Sequence, residues 1–165
     1  MKDKNSISLV ILAMLIAGPA AVGAQEAASS AAPPMDSAAA TEVPPMYLAA
    51  KQGNLPVVRQ LIEAGEDVNA ANASGRSALM SAVYLRNRKI VRELLVEGAN
   101  VNSVDAQGRT ALMFAVMSRD IEIIGLLLAA GADISLEDKA KNTAGTLAER
   151  SKDKKILKLL EENAG

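Results

Sequence analysis

Residues Asp105 to Val116 read DAQGRTALMFAV, and residues Leu126 to Ile134 read LLLAAGADI. In the first stretch Gly108 marks a turn, and Thr110 stands before the apolar run Ala111–Val116, where a hydroxyl oxygen caps a helix start. In the second, a further apolar run is stopped by Gly131, the residue type that best tolerates the left-handed conformation just past a helix end. One unit therefore contains a turn, a helix, a second helix and a stop. The same order stands 33 residues upstream, where Gly75 precedes Arg76-Ser77-Ala78-Leu79-Met80-Ser81-Ala82 and Gly98 stops IVRELLVEG. Gly65, Gly98 and Gly131 keep this spacing, as do Asp67-Val68-Asn69, Asn100-Val101-Asn102 and Asp133-Ile134-Ser135. The register holds over three units without an insertion.

A period of 33 residues with one turn and two helices per unit resembles the ankyrin repeat, whose signature runs through G-x-T-P-L-H-x-A and then V-x-x-L-L-x-x-G-A-x-V-N. The resemblance covers Pro44 to the C-terminus and is strongest in the two central units. It implies an all-α solenoid of about four stacked helix-turn-helix repeats with short hairpin or turn fingers. The units run over about 45–75, 76–108, 109–141 and 142–165 within a domain spanning 45–165. Some positions depart from the pattern. Ala78 and Ala111 replace the usual proline, and Met80 and Met113 replace the histidine that bonds between neighbours, so apolar packing takes over part of that role. The first unit has Pro45-Met46-Tyr47-Leu48-Ala49-Ala50, and the last has Lys141 where a turn glycine is usual. Both end units read as caps, as a stack needs when each unit buries apolar surface only against its neighbours. The last helix is expected over Lys152–Asn163, with Ile156, Leu157, Leu159 and Leu160 facing inward.

The first 24 residues carry Lys2 and Lys4, the apolar run Leu9–Ala17 and small residues ending at Ala24, the layout of a cleavable signal peptide. The run is short of the roughly 20 residues a spanning helix needs, and Pro19 interrupts its continuation. Cleavage after Ala24 is expected, leading to a periplasmic or secreted protein with no membrane attachment. Residues 25–44 are rich in Ala, Ser and Pro without apolar periodicity and read as a disordered tether.

Composition narrows the chemistry. With 18 Lys and Arg against 19 Asp and Glu, the net charge of -1 sets up no strong field for nucleic acid. The absence of cysteine and histidine removes thiolate and imidazole ligands together with the commonest general base. No cofactor, metal or catalytic residue is nominated: Ser77, Thr110 and Thr143 repeat as helix caps, and Asp67, Asp105 and Asp133 stand at turns, where they read as turn caps. A monomer that binds a protein partner is expected.

The resemblance places partner contacts on the finger tips and at the ends of the first helices. By register these are Ser74, Arg76, Gln107 and Arg109 on the fingers, and Lys51, Gln52, Tyr84, Leu85, Met117 and Ser118 on the helices, with Arg150 in the cap. Tyr and Arg are enriched in interface hot spots, which favours a patch centred on Tyr84 and Met117. The competing readings are that these side chains cover core, and that Arg76 and Arg109 form surface ion pairs of little energetic effect. Functionally, the resemblance implies a non-catalytic binding module. Its exported members are associated with oxidative-stress defence alongside catalase, although no residue here carries haem or peroxide chemistry. Two alternatives are an immunity or inhibitor protein that occludes an envelope-targeted toxin or hydrolase, and an effector exported to a host cell.

Overall fold

The computed structural model describes residues 43–163. The export segment 1–24 and the tether up to residue 42 lie outside the described residues. Among those described, eight helices follow one another in pairs: α1 Pro45–Gln52 and α2 Leu55–Glu63, α3 Ala78–Tyr84 and α4 Arg88–Val96, α5 Ala111–Ser118 and α6 Ile121–Ala129, α7 Ala144–Ser151 and α8 Lys154–Glu162.

Local sequence explains each boundary. Ser77, Thr110 and Thr143 cap α3, α5 and α7 by accepting a hydrogen bond from the third helical N–H. Asn54, Asn87, Asp120 and Asp153 do the same for the second helix of each pair. α1 has no side-chain cap and starts on Pro45, whose missing N–H costs nothing at a first helical position. The last helix is shorter than expected, because Lys152 adopts a left-handed conformation with φ 55° and Asp153 then caps a start at Lys154. Leu157 and Leu159 are partly buried, whereas Ile156 is fully buried and Leu160 nearly so.

Each first helix packs on the first helix of the next pair more extensively than second helix packs on second helix. The stack therefore curves, with the first helices and fingers on its inner side. The core is aliphatic apart from Phe114 and is continuous from Met46 to Leu160. Met80 and Met113 are almost completely buried, in keeping with apolar packing at those positions.

The fingers are turns closed by short hydrogen-bonded brackets. Asn72, Asp105 and Asp138 occupy the same register, and each side-chain oxygen accepts from the N–H two and four residues on, at 2.8–3.0 Å. Neighbouring fingers join where Ala106 N donates to Ser74 O and Lys139 N donates to Gln107 O, both at 2.9 Å. At Gly108 this approach leaves no room for a side chain: φ is +77°, and a Cβ would meet Asp138 Cα and Lys139 N at 3.2 Å. Behind the fingers, Asn69 Oδ1 accepts from Asn100 N at 2.7 Å and Asn102 Oδ1 from Asp133 N at 2.8 Å, a second link between repeats.

Candidate functional site

The inner side is built around Phe114, the only phenylalanine in the sequence. α5 holds it almost fully buried between two fingers and the preceding repeat. The Arg109 guanidinium lies over its ring at 4.8 Å from the centroid and that of Arg76 at 5.4 Å. Tyr84 meets the ring edge-on at 6.2 Å with an interplanar angle of 85°. Ring faces attract cations and ring edges suit a perpendicular neighbour, so this one residue orients three side chains from three elements.

Asp105 anchors the arginines from below. Its side chain is fully buried, its Oδ2 accepts from Arg109 Nε at 3.0 Å and Nη2 at 2.8 Å, and Arg76 Nε lies 3.8 Å away. Burial pushes the Asp105 carboxyl up, but the Arg109 side chain and the backbone N–H groups of Arg109 and Gln107 outweigh it and hold the pKa below the ordinary value. For Arg109 this is more than a surface ion pair, because its acceptor is buried; Arg76 lies near the same oxygen at a longer distance.

Above this layer a hollow of about 150 Å³ opens between α1, α3 and α5. Tyr47, Met80, Tyr84, Leu85 and Phe114 supply its apolar wall, Ser81 a hydroxyl, and Lys51 and Arg76 its charges. Of the expected contact residues, the structure brings Lys51, Arg76, Tyr84 and Leu85 together around the hollow and joins Arg109 to it through Phe114. Tyr84 is 61% exposed, Leu85 47% and Met117 54%. Met117 lies one turn beyond Phe114 on α5 and is not part of the lining. Gln52 is exposed at the end of α1. Ser118 is half-buried, with its Oγ donating to Ala115 O at 3.0 Å and its carbonyl accepting from Arg86. Ser74 and Gln107 give their N–H groups to the brackets and their carbonyls to the links between fingers, and Gln107 Oε1 also accepts from Arg109 Nη2 at 3.1 Å.

Among the described residues, eight helices stack in pairs, with one turn bracket between each pair and the next. A family described as "Ankyrin repeats (3 copies)" matches residues 30–105, 46–138 and 89–164. The chain is an ankyrin-repeat protein. Ankyrin-repeat domains are generally non-catalytic modules for protein–protein interaction, and that is the general function the family gives this chain. A comparison with curated proteins returns no match.

Sequence reasoning passes over two components of the ankyrin stack's inner face. Phe114 sits in an apolar helical run where a core reading suffices, and Asp105 has a sufficient reading as a turn cap. The available signal was comparative: Phe114 replaces Ser81 of the preceding repeat in otherwise nearly matching stretches. Similarly, Arg86, Arg119 and Lys152 follow Gly53 in register, all four with positive φ. Arg86 donates to the carbonyl of Ser118, and Arg119 Nη2 to that of Ser151 at 3.3 Å, so each arginine reaches the last turn of the next first helix. Such contacts favour a cation at a helix C-terminus and offset the left-handed conformation.

Proposed function

We propose that this ankyrin-repeat protein is a monomeric, non-catalytic binding module of the bacterial periplasm that holds a protein partner on its fingers and inner helix face. The observation that carries the reading is the hollow between α1, α3 and α5, walled by Tyr84, Leu85 and Phe114 and edged by Arg76 and Lys51. Large aromatic and guanidinium groups fixed in place lose little entropy when a partner covers them, which suits an interface centre. Tyr84 and Met117 leave 61% and 54% of their surface exposed, which keeps both accessible to a partner. Export is supported by the order of charge, apolar run and small residues in the first 24 positions. A role in envelope stress defence is the pathway we assign first.

The test is affinity capture of the full chain from envelope extract beside a Tyr84→Ala, Met117→Ala variant. Retention of one protein by the native chain and its loss with the variant is expected; identical retention by both would remove the inner face from consideration. Fractionation of cells carrying the native chain or Leu12→Arg, Leu15→Arg tests export, with the native chain expected in the periplasm and the variant in the cytosol.

A further inference from the structure

The charges on this chain nearly cancel, yet their distribution over the stack is uneven. The first helices and the residues that end them carry Lys51, Arg86, Arg119, Arg150 and Lys152 against a single acid, Glu149, at the far end of the stack. The second helices hold acids and bases together, and several of these pair across repeats: Arg59 with Glu93 at 2.7 Å, Arg88 with Asp120 at 3.2 Å, Arg92 with Glu122 at 2.6 Å. On the inner side, among the described residues, no ion pair involves Lys51. Arg76 reaches a carboxylate only at 3.8 Å, on the oxygen that already accepts from Arg109 at 2.8 Å. Among the described residues, no acid lines the hollow.

We infer that the hollow selects an acidic peptide segment of the partner, seating one large apolar side chain among Tyr47, Tyr84 and Phe114 and holding an adjacent carboxylate between Lys51 and Arg76. This rests on the proposed function and names the chemistry of the partner. Volume supports the apolar half: a hollow of about 150 Å³ matches the size of cavity known to admit a benzene-sized group. Charge supports the other half, because two cations beside an apolar floor gain most from a carboxylate that arrives already desolvated by its neighbour. A peptide is favoured over single-stranded nucleic acid. Of the three aromatic rings lining the hollow, Tyr47 and Phe114 are almost fully buried and only Tyr84 is exposed, so the hollow offers no row of open ring faces on which successive bases could stack.

A phage-displayed random dodecapeptide library selected on the full chain tests this, with the affinity of recovered peptides measured by fluorescence anisotropy. The expected peptides carry Asp or Glu beside Phe, Leu, Tyr or Met. Their affinity should fall roughly tenfold with Lys51→Glu, less with Lys51→Gln, and hold with Lys51→Arg, with circular dichroism confirming that each variant is folded. Raising salt from roughly 50 to 300 mM should weaken them further, since exposed charges are screened. Peptides without acids that still require Tyr84 would overturn the charge assignment and leave the binding face standing. Peptides indifferent to both Lys51→Glu and Tyr84→Ala would overturn the inference and the face together. A library that yields no binder would overturn the peptide inference alone, because the face is tested separately by capture. A fluorescent single-stranded oligonucleotide bound in a Lys51-dependent way would overturn it in favour of nucleic acid.

Discussion

Replacing Asp105 separates two jobs that one buried carboxylate performs. Its Oδ1 accepts from Gln107 N and Arg109 N at 2.9 Å each and so shapes the finger, while Oδ2 holds Arg109 and faces Arg76. The preceding repeat provides an internal comparison: Asn72 makes the same two backbone bonds, to Ser74 N at 2.9 Å and Arg76 N at 3.0 Å, without a charge. Asp105→Asn therefore keeps the turn and loses the ion pair. Because Arg109 retains 23% of its side-chain exposure and can turn toward water, the cost should be about 1–2 kcal/mol. Asp105→Ala removes both acceptors, strands two N–H groups and leaves two guanidinium groups against one ring without a counter-charge, at about 3–5 kcal/mol. Urea unfolding followed by helical circular dichroism measures both. With a slope of about 2 kcal/mol/M the alanine variant should lose about 2 M in midpoint, and the asparagine variant less than half of that. If the two variants lose equal stability, the charge and not the backbone bracket holds the finger, and the division of labour between the two oxygens is wrong.

Other consequences follow from the same contacts. Gly108→Ala and Gly98→Ala both place a side chain at positive φ, +77° and +79°, but only at Gly108 would Cβ press on a neighbouring finger. Both should lose about 1–2 kcal/mol to left-handed strain, with a further loss at Gly108, and equal losses in thermal unfolding would deny the close approach. Thr110→Ala removes the cap that accepts from Met113 N at 3.3 Å and should cost about 1 kcal/mol, while Thr110→Ser should restore most of it. The carboxyl pKa values of Asp105, Glu93, Asp133 and Asp138 are all lowered in the fold. Their contribution is complete above the unfolded values of about 4 and is lost as pH falls through the folded ones, so stability should decline below about pH 4. Asp105→Asn should flatten part of that decline; an unchanged profile would remove Asp105 from the acid response.

The fold was largely legible because its signals recur. Thr110 before an apolar run and Gly131 after one each have several local explanations, but the same pair repeated at a fixed spacing has few. The caps Ser77, Thr110 and Thr143 and the turn residues Asp105 and Asp133 stand where that reading placed them. Lys152 was harder to read, since a lysine gives no local sign of left-handed backbone; the sign lay three repeats back, in Gly53 at the matching position. The inner face was legible only in part. Exposure of Tyr84 and Met117 follows from register, but the role of Phe114 depends on which side chains the curvature of the stack brings over its ring. A sequence period fixes neighbours along the stack and not the depth at which an aromatic sits between two fingers.

The inner and outer sides of the stack differ in whether they meet the partner, and crosslinking separates them. A photo-crosslinking amino acid placed at Tyr84 or Met117 on the inner side, or at Val96 on the outer side, where exposure is 82%, probes both faces of the full chain in living cells. Adducts to one and the same protein from Tyr84 and Met117, with none from Val96, are the predicted result. An adduct from Val96 alone would contradict it.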